Sequence, residues 1–126
     1  MGKRTDRESP IQIAIVQWLR AVLPPGCIVH HARGEINKRG KSVMMELAKA
    51  KRKGAMAGFP DLVVLPYSAC GPIFFEVKAE GQYTSKSQKE MHAALRNLGY
   101  PVDVVRSIDD VRECLQAWGV GFREVT

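Results

Sequence analysis

The amino-acid sequence predicts an α/β domain in which helices and strands alternate along one short chain. Segments with apolar residues at helical spacing are interleaved with short apolar runs, in the order helix, strand, helix, strand, strand, helix, strand, helix. The chain has 126 residues, of which 45% are hydrophobic and 25% charged, as is typical of one globular domain. We therefore expect residues 1–126 to form a single domain with a modest hydrophobic core.

The first helix and the strand after it are bounded by clear sequence signals. Apolar residues at helical spacing predict a helix over residues 7–23, which a Pro-Pro-Gly sequence ends. Either Ser9 caps this helix, or Thr5 and Glu8 form a capping box one turn earlier. The apolar run that follows predicts a short strand over residues 27–31.

The remaining elements are separated by turn residues. They are a helix over 42–53 with a basic end, strands over 61–65 and 73–78, a helix from Thr84 or Ser85 to about Leu98, a strand over 101–105 and a helix over 108–118. The second and third strands are joined by a loop around Gly71, so we expect them to pair as a hairpin.

Basic residues are concentrated in the first half of the chain. Residues 1–54 carry 12 basic and 4 acidic residues, a net charge of +8, whereas residues 55–126 carry 7 basic and 9 acidic residues, a net charge of −2. The pI is near 9.5. This asymmetry favours a polyanionic partner, most simply a nucleic acid, although a basic surface can also serve solubility alone.

The composition excludes several classes of protein. The three cysteines, Cys27, Cys70 and Cys114, form no Cys-x-x-Cys pair. This argues against a disulfide scaffold and a zinc knuckle and favours buried free thiols. No window approaches the ~18 apolar residues of a membrane span, and the N-terminal residues lack the apolar run of a signal peptide. We therefore expect a cytoplasmic protein.

Three charged residues lie next to the apolar runs of the predicted hairpin. Asp61 opens its first strand, and Glu76 and Lys78 lie near the end of its second. Glu76 and Lys78 share a face because side chains two apart on a strand point the same way. Asp61 and Glu76 can converge if the two strands are neighbours.

Such a cluster contains the groups that phosphodiester hydrolysis needs. Two carboxylates, a main-chain carbonyl and water suit Mg²⁺ or Mn²⁺, and a lysine beside the metal can orient or deprotonate a water. The alternative for Glu76 and Lys78 is a surface pair at a strand end, worth at most about 1 kcal/mol.

These residues belong to a longer set of motifs. Gly58-Phe59-Pro60-Asp61 is followed, after a gap of 14 residues, by Glu76-Val77-Lys78. The other members are Glu8-Ser9-Pro10-Ile11-Gln12, the pair His30-His31, a basic helix, Ser85-Lys86-Ser87-Gln88 and Gly99-Tyr100-Pro101-Val102. Together they resemble the PD-(D/E)xK nuclease superfamily and, within it, the virus-type replication-repair nuclease (VRR-NUC) family. The resemblance runs from Glu8 to about Asp110.

The resemblance implies a restriction-endonuclease-like α/β fold, with a central mixed β-sheet flanked by helices, and metal-dependent DNA cleavage. At the matching positions, Asp61 and Glu76 would be ligands of Mg²⁺ or Mn²⁺, together with the main-chain carbonyl of Val77. Lys78 would act on the nucleophilic water. Glu8 would face the metal directly or through water, unless it only serves the capping box.

Two further sets of residues have a role under the same resemblance. Gln88 would lie near the site and touch a water, the lysine or the scissile phosphate, or it would pair with Ser85 in a capping box, and the two roles can coexist. His30 and His31 alternate in direction, so at most one of them faces the site. The basic run is expected either to contact DNA phosphates or to form a solvated helix face; its members are Lys49, Lys51, Arg52 and Lys53.

The sequence therefore predicts a structure-selective endodeoxyribonuclease. A chain of this length without a sequence-reading module would select DNA by shape. Stand-alone members of the family are typically viral and resemble Holliday-junction resolvases, which implies a homodimer acting on four-way junctions in DNA repair or recombination, in a bacterial or phage-infected cell. The alternatives are a monomeric flap or nicking nuclease and an inactive DNA-binding protein. Residues 108–118 and 120–122 would form either the dimer surface or ordinary core.

Overall fold

The computed structural model describes residues 6–32 and 41–124. Its elements confirm the predicted order and lie close to the predicted bounds. They are α1 (Glu8–Val22), β1 (Ile28–His31), α2 (Lys41–Arg52), β2 (Leu62–Leu65), β3 (Ile73–Val77), α3 (Lys86–Asn97), β4 (Val102–Val105) and α4 (Ile108–Ala117).

The four strands form one mixed sheet in the order β1-β2-β3-β4. The β1–β2 and β2–β3 pairs are antiparallel, which confirms the hairpin, and the β3–β4 pair is parallel. Helix α3 provides the crossover between the parallel strands. As a result, β1, β3 and β4 end at the same edge of the sheet, where β2 begins. We call this edge the carboxyl edge.

Helices cover both faces of the sheet. On one face, α1 and α4 pack on the larger apolar cluster, in which Phe75 and Val77 of β3 are fully buried. On the other face, α3 packs on a smaller cluster of Phe74, Leu95 and Val102. Side chains alternate along β3, so Phe74 and Glu76 point to the α3 face whereas Phe75 and Val77 point to the other.

The C-terminal residues belong to the core. Trp118 stacks on Phe75 with ring centroids 5.6 Å apart, and Phe122 packs against Trp18 at 5.7 Å. Val120 is also buried. These contacts favour core packing over a dimer surface for this part of the chain.

Helix α2 is the least packed element of the described fold. Among the described residues it packs against no other helix or strand. Its largest apolar residues are correspondingly exposed, among them Met45 to 72% and Leu47 to 42%, whereas Val43 and Ala50 are half-buried.

The start of α1 differs from the sequence prediction. The helix begins at Glu8, and Arg7 occupies the N-cap position without a side-chain cap. A carboxylate oxygen of Asp6 instead accepts the backbone N–H groups of Glu8 at 3.2 Å and Ser9 at 3.0 Å. Ser9 is therefore not the cap, because the helix starts one residue before it. The alternative box with Thr5 lies outside the described residues.

Only one of the three thiols is buried as expected. Cys27 and Cys70 are half-buried. The Cys114 thiol contacts a carboxylate oxygen of Asp103 at 3.4 Å. Burial, assisted by the negative charge of Asp103, raises the pKa of Cys114 to about 12.

Candidate active site

Asp61 lies at the carboxyl edge, directly before β2. Leu62 pairs with Phe75, so continuing the antiparallel register by one residue places Asp61 opposite Glu76. Directly opposed side chains of antiparallel strands lie on the same face, about 5 Å apart at Cβ. Asp61 is 9% exposed, and its Oδ2 accepts the backbone N–H of Val77 at 2.8 Å. The two strands therefore bring the two predicted carboxylates together.

The loop before Asp61 is pressed against the first turn of α3. Gly58 has a φ of +80°, and a Cβ built on it would lie 2.3 Å from the carbonyl oxygen of Ser87. The next residue, Phe59, packs edge-on against Phe74 at 5.7 Å. A glycine is needed here because no side chain fits between the loop and the helix backbone. This close approach fixes where Asp61 enters the sheet.

Glu76 is buried beside a histidine that the sequence analysis did not identify. Glu76 is 1% exposed and His92 of α3 is 3% exposed. Their Oε1 and Nε2 atoms lie 3.2 Å apart. By their spacing Gln88, His92 and Leu95 share one helix face, but this segment alone does not show that the face meets Glu76.

The environment of His92 favours the neutral imidazole. Burial lowers the pKa of His92 below its usual 6.5, and the positive charges of Arg96 and Lys78 act in the same direction, while Asp103 and Asp61 oppose them. A neutral imidazole bonded to a carboxylate must carry its proton on Nε2, so His92 donates to Glu76.

Lys78 follows β3 at the carboxyl edge, as predicted. Its backbone N–H donates to the carbonyl of Val105 at 3.1 Å, which continues the parallel ladder by one residue. Strand alternation places its half-buried side chain on the same face as Glu76. The influence of Lys78 and Asp61 on the pKa of His92 is consistent with this clustering.

Gln88 lies in the first turn of α3 and is 6% exposed. Its Oε1 accepts the backbone N–H of Ser85 at 2.9 Å, and the Ser85 hydroxyl accepts the backbone N–H of Gln88 at 3.2 Å. The capping box is therefore confirmed, and it fixes the end of α3 that lies against the Gly58 loop. Contact of Gln88 with the reacting groups stays a prediction.

Glu8 is less directly placed than the other candidates. It is half-buried at the start of α1, which covers the face of the sheet opposite to Glu76. The start of α1 reaches the carboxyl edge, because Arg7 donates to the carbonyl of Glu80 at 3.4 Å. In residues 6–32 and 41–124, no three His, Cys, Asp or Glu side chains form a group that could hold a metal. Contact of Glu8 with the metal, directly or through water, stays a prediction.

The two histidines of β1 point to opposite faces, as expected. His31 pairs with Leu62 and lies on the α1 face, where its Nδ1 accepts the side-chain N–H of Gln12 at 2.8 Å. His30 pairs with Val63 on the α3 face and is exposed. The His31–Gln12 contact joins two of the sequence motifs and ties α1 to the carboxyl edge.

The basic run forms the exposed C-terminal end of α2 and the residue after it. Lys49, Lys51, Arg52 and Lys53 are all exposed. Their positive charges lie where the helix dipole is negative, which stabilises the helix by a few tenths of a kcal/mol, roughly, per charge. The run is therefore available to bind an anionic partner.

The donor set of Asp61 and Glu76 fits a hard divalent cation. Both carboxylates are buried on adjacent strands, where two negative charges repel more strongly than in water. A cation bound by both would offset this repulsion, and Mg²⁺ and Mn²⁺ prefer such oxygen donors. With two carboxylates, the coordination would be completed by the main-chain carbonyl of Val77 and by water.

Comparison with known proteins identifies the family of the chain. The family model of the VRR-NUC domain matches residues 5–109. The chain belongs to the VRR-NUC family. A VRR-NUC domain implies a nuclease, a hydrolase whose substrate is DNA, and nucleases of the PD-(D/E)xK type generally use divalent metals. The predicted family is therefore confirmed.

Solved structures with the same domain support the fold. The chain is 27% identical to a protein titled "VRR_NUC domain protein", with a TM-score of 0.71 over 94% of this chain and 93% of that one. A second structure, titled "VRR_NUC domain", is 22% identical, with a TM-score of 0.62 over 90% of this chain and 99% of that one, and supports the fold alone. The VRR-NUC similarity confirms the restriction-endonuclease-like α/β prediction. No curated protein matches the chain.

The VRR-NUC chain has no membrane-crossing helix within its described residues, since none of those helices is both long and apolar enough.

Proposed function

We propose that this VRR-NUC protein is a metal-dependent, structure-selective endodeoxyribonuclease. The observation that carries the proposal is the pair of buried carboxylates, Asp61 and Glu76, on adjacent strands with Lys78 at the same edge. Burying two carboxylates side by side is unfavourable unless a cation or proton offsets the repulsion. The arrangement is therefore better explained by catalysis than by stability.

Each residue of the site has a distinct role in the proposed reaction. Asp61, Glu76 and the main-chain carbonyl of Val77 would hold Mg²⁺ or Mn²⁺, and Glu8 would act through a bridging water. When bound, the cation supplies a Lewis acid for the phosphate oxygen and lowers the pKa of a water. Lys78 orients the attacking water or removes its proton.

The basic end of α2 supports a contact with the DNA backbone. Its four cations are exposed and carried on one short segment, so they can reach phosphates without rearranging the core. Each phosphate bound releases counterions, which makes the affinity depend on salt. The Lys51→Ala, Arg52→Ala, Lys53→Ala variant should lower the slope of log K against log[salt] by about 1 for each phosphate that the variant no longer binds. An unchanged slope would show that the DNA backbone binds to another part of the protein.

We further propose that the protein works as a homodimer on branched DNA, with a four-way junction in DNA repair or recombination as the preferred substrate. One chain supplies one Glu-x-Lys motif, whereas two symmetric incisions need two sites. A stable dimer would bury about 800 Å² on each partner. Sedimentation at micromolar concentration measures the oligomeric state directly.

The decisive experiment is a cleavage panel. Labelled four-way junction, flap, nicked duplex, intact duplex and single strand are incubated with Mg²⁺, with Mn²⁺ and with a chelator, and Asp61→Asn is the matched control. Paired, symmetric cuts in the junction would support the proposal that the protein resolves four-way junctions as a dimer. Cuts at flaps or nicks alone by a monomer would replace it with a flap or nicking nuclease. If the protein binds these DNAs but cleaves none of them with either metal, it is a DNA-binding protein and not a nuclease.

A further inference from the structure

We propose that His92 is a positioning residue that holds the Glu76 carboxylate in the orientation needed to bind the metal. The inference rests on the proposed function, because it concerns the carboxylate assigned there as a metal ligand. The observation behind it is the contact between His92 Nε2 and Glu76 Oε1 at 3.2 Å, with both side chains almost completely buried.

His92 is buried beside the smaller apolar cluster, with charged groups near it as well. Leu95, one turn further along α3, belongs to the smaller hydrophobic cluster with Phe74, the residue two before Glu76 on the same strand face. Burying an imidazole among such neighbours costs free energy unless its N–H finds a hydrogen-bond acceptor. Packing alone would favour leucine or methionine here, so the polar residue at this position is explained by its bond to Glu76.

The helix that carries His92 is anchored at both ends. The Ser85–Gln88 capping box fixes its start, and Arg96 donates to the carbonyl of Val102 at 2.9 Å near its end. His92 lies between these anchors, one turn from each. An imidazole on such a rigid element has little freedom to follow a moving carboxylate, so it restricts Glu76 to one rotamer.

The chemistry of the donor suits a metal ligand. A ring N–H bonded to one carboxylate oxygen orients the carboxylate towards a cation without itself being a metal ligand. A lysine or arginine at position 92 would instead neutralise Glu76 and compete with the metal. Removing a hydrogen-bond partner of this kind typically weakens metal binding by about 10- to 100-fold.

The test compares His92→Gln with His92→Met. The two side chains have similar length and flexibility, but only glutamine offers an N–H donor. Mn²⁺ affinity of the DNA-free protein is measured by isothermal titration calorimetry, and folding is checked by circular dichroism. We expect His92→Met to bind Mn²⁺ about 10- to 100-fold more weakly than the wild type and His92→Gln to recover most of that loss. Cleavage by the two variants should need correspondingly more Mg²⁺.

Two results would overturn the inference. One is a folded His92→Met protein with wild-type Mn²⁺ affinity. The other is an equal loss of Mn²⁺ affinity in His92→Gln and His92→Met. This would show that the loss comes from removing the bulk of the imidazole and not its N–H donor. If His92→Met does not fold, His92→Leu serves as the donor-free comparison. Wild-type protein that binds no Mn²⁺ and cleaves no DNA would refute the proposed function itself, whereas an active wild type with unaffected variants would refute only the role of His92.

Discussion

Gly58 offers a quantitative test of how the loop before Asp61 is held. At a φ of +80°, an alanine is strained by roughly 1–2 kcal/mol. Its Cβ would also lie 2.3 Å from the Ser87 carbonyl oxygen and 2.7 Å from the Gln88 nitrogen, whereas real Cβ contacts are essentially never below 3.0 Å. The loop or the helix must therefore move by at least about 0.7 Å, and forced repacking of this kind costs about 1–3 kcal/mol. We expect Gly58→Ala to lose about 2–5 kcal/mol in total.

Gly71 provides the matched control. It has a φ of +73° in the loop between β2 and β3, and a Cβ built there meets nothing within 4 Å. Gly71→Ala carries the backbone strain without the steric overlap, so we expect a loss of only about 1–2 kcal/mol. The free energy of unfolding of both variants is measured by urea denaturation, with the slope m as a check on two-state behaviour.

A second measurement separates stability from geometry. The overlap in Gly58→Ala pushes apart the loop that carries Asp61 and the helix turn that carries Gln88. At a temperature where both variants are folded, Gly58→Ala should therefore cleave DNA more slowly than Gly71→Ala. Equal losses of stability and equal cleavage rates would show that the close approach to Ser87 does not position the site.

Three further predictions address the chemistry and the thiols. Asp61→Asn should abolish cleavage while DNA binding and the circular dichroism spectrum persist. If this variant cleaves DNA at the wild-type rate, Asp61 is not part of the active site. Lys78→Ala should lower the single-turnover rate by about 100-fold or more, whereas a loss of DNA affinity at unchanged rate would make Lys78 a phosphate-binding residue. Burial and Asp103 raise the pKa of Cys114 to about 12, so at pH 8 this thiol stays protonated and should react with alkylating reagents more slowly than the half-buried Cys27. Mass spectrometry of the labelled peptides measures which cysteine reacts first, and equal labelling of the two cysteines would contradict the raised pKa of Cys114.

The sequence predicts the elements well because their patterns are strong. Apolar runs bounded by Gly and Pro identify the strands. Asp61 and Glu76 become candidate site residues because they are charged residues next to or within those runs. The start of α1 was harder to predict, because Thr5, Asp6 and Ser9 are all residue types that cap helices and lie within five residues of one another. Small differences in hydrogen bonding decide between such caps.

His92 could not be identified from its own segment. One histidine on an amphipathic helix looks the same whether it faces solvent or a buried carboxylate, and only the packing of α3 across β3 distinguishes the two. Conversely, the spacing of apolar residues in α2 suggests a buried face, yet Leu47 is exposed, because periodicity describes a helix without revealing what covers it. The sequence thus locates charges on strands more reliably than partners between elements.

The sparse packing of α2 among the described residues has a thermodynamic consequence for DNA binding. A 12-residue helix that packs against no other described helix or strand gains little stability from the rest of the described fold, since packing supplies most of the stability of protein helices. Any bound state that requires α2 to be helical must therefore also supply the free energy that orders it. Helix formation and association become linked equilibria, so warming would melt α2 and weaken the affinity more steeply than the phosphate interactions alone would. Backbone amides of α2 would exchange with solvent faster than those of α3 in the free protein and slow down when DNA is bound.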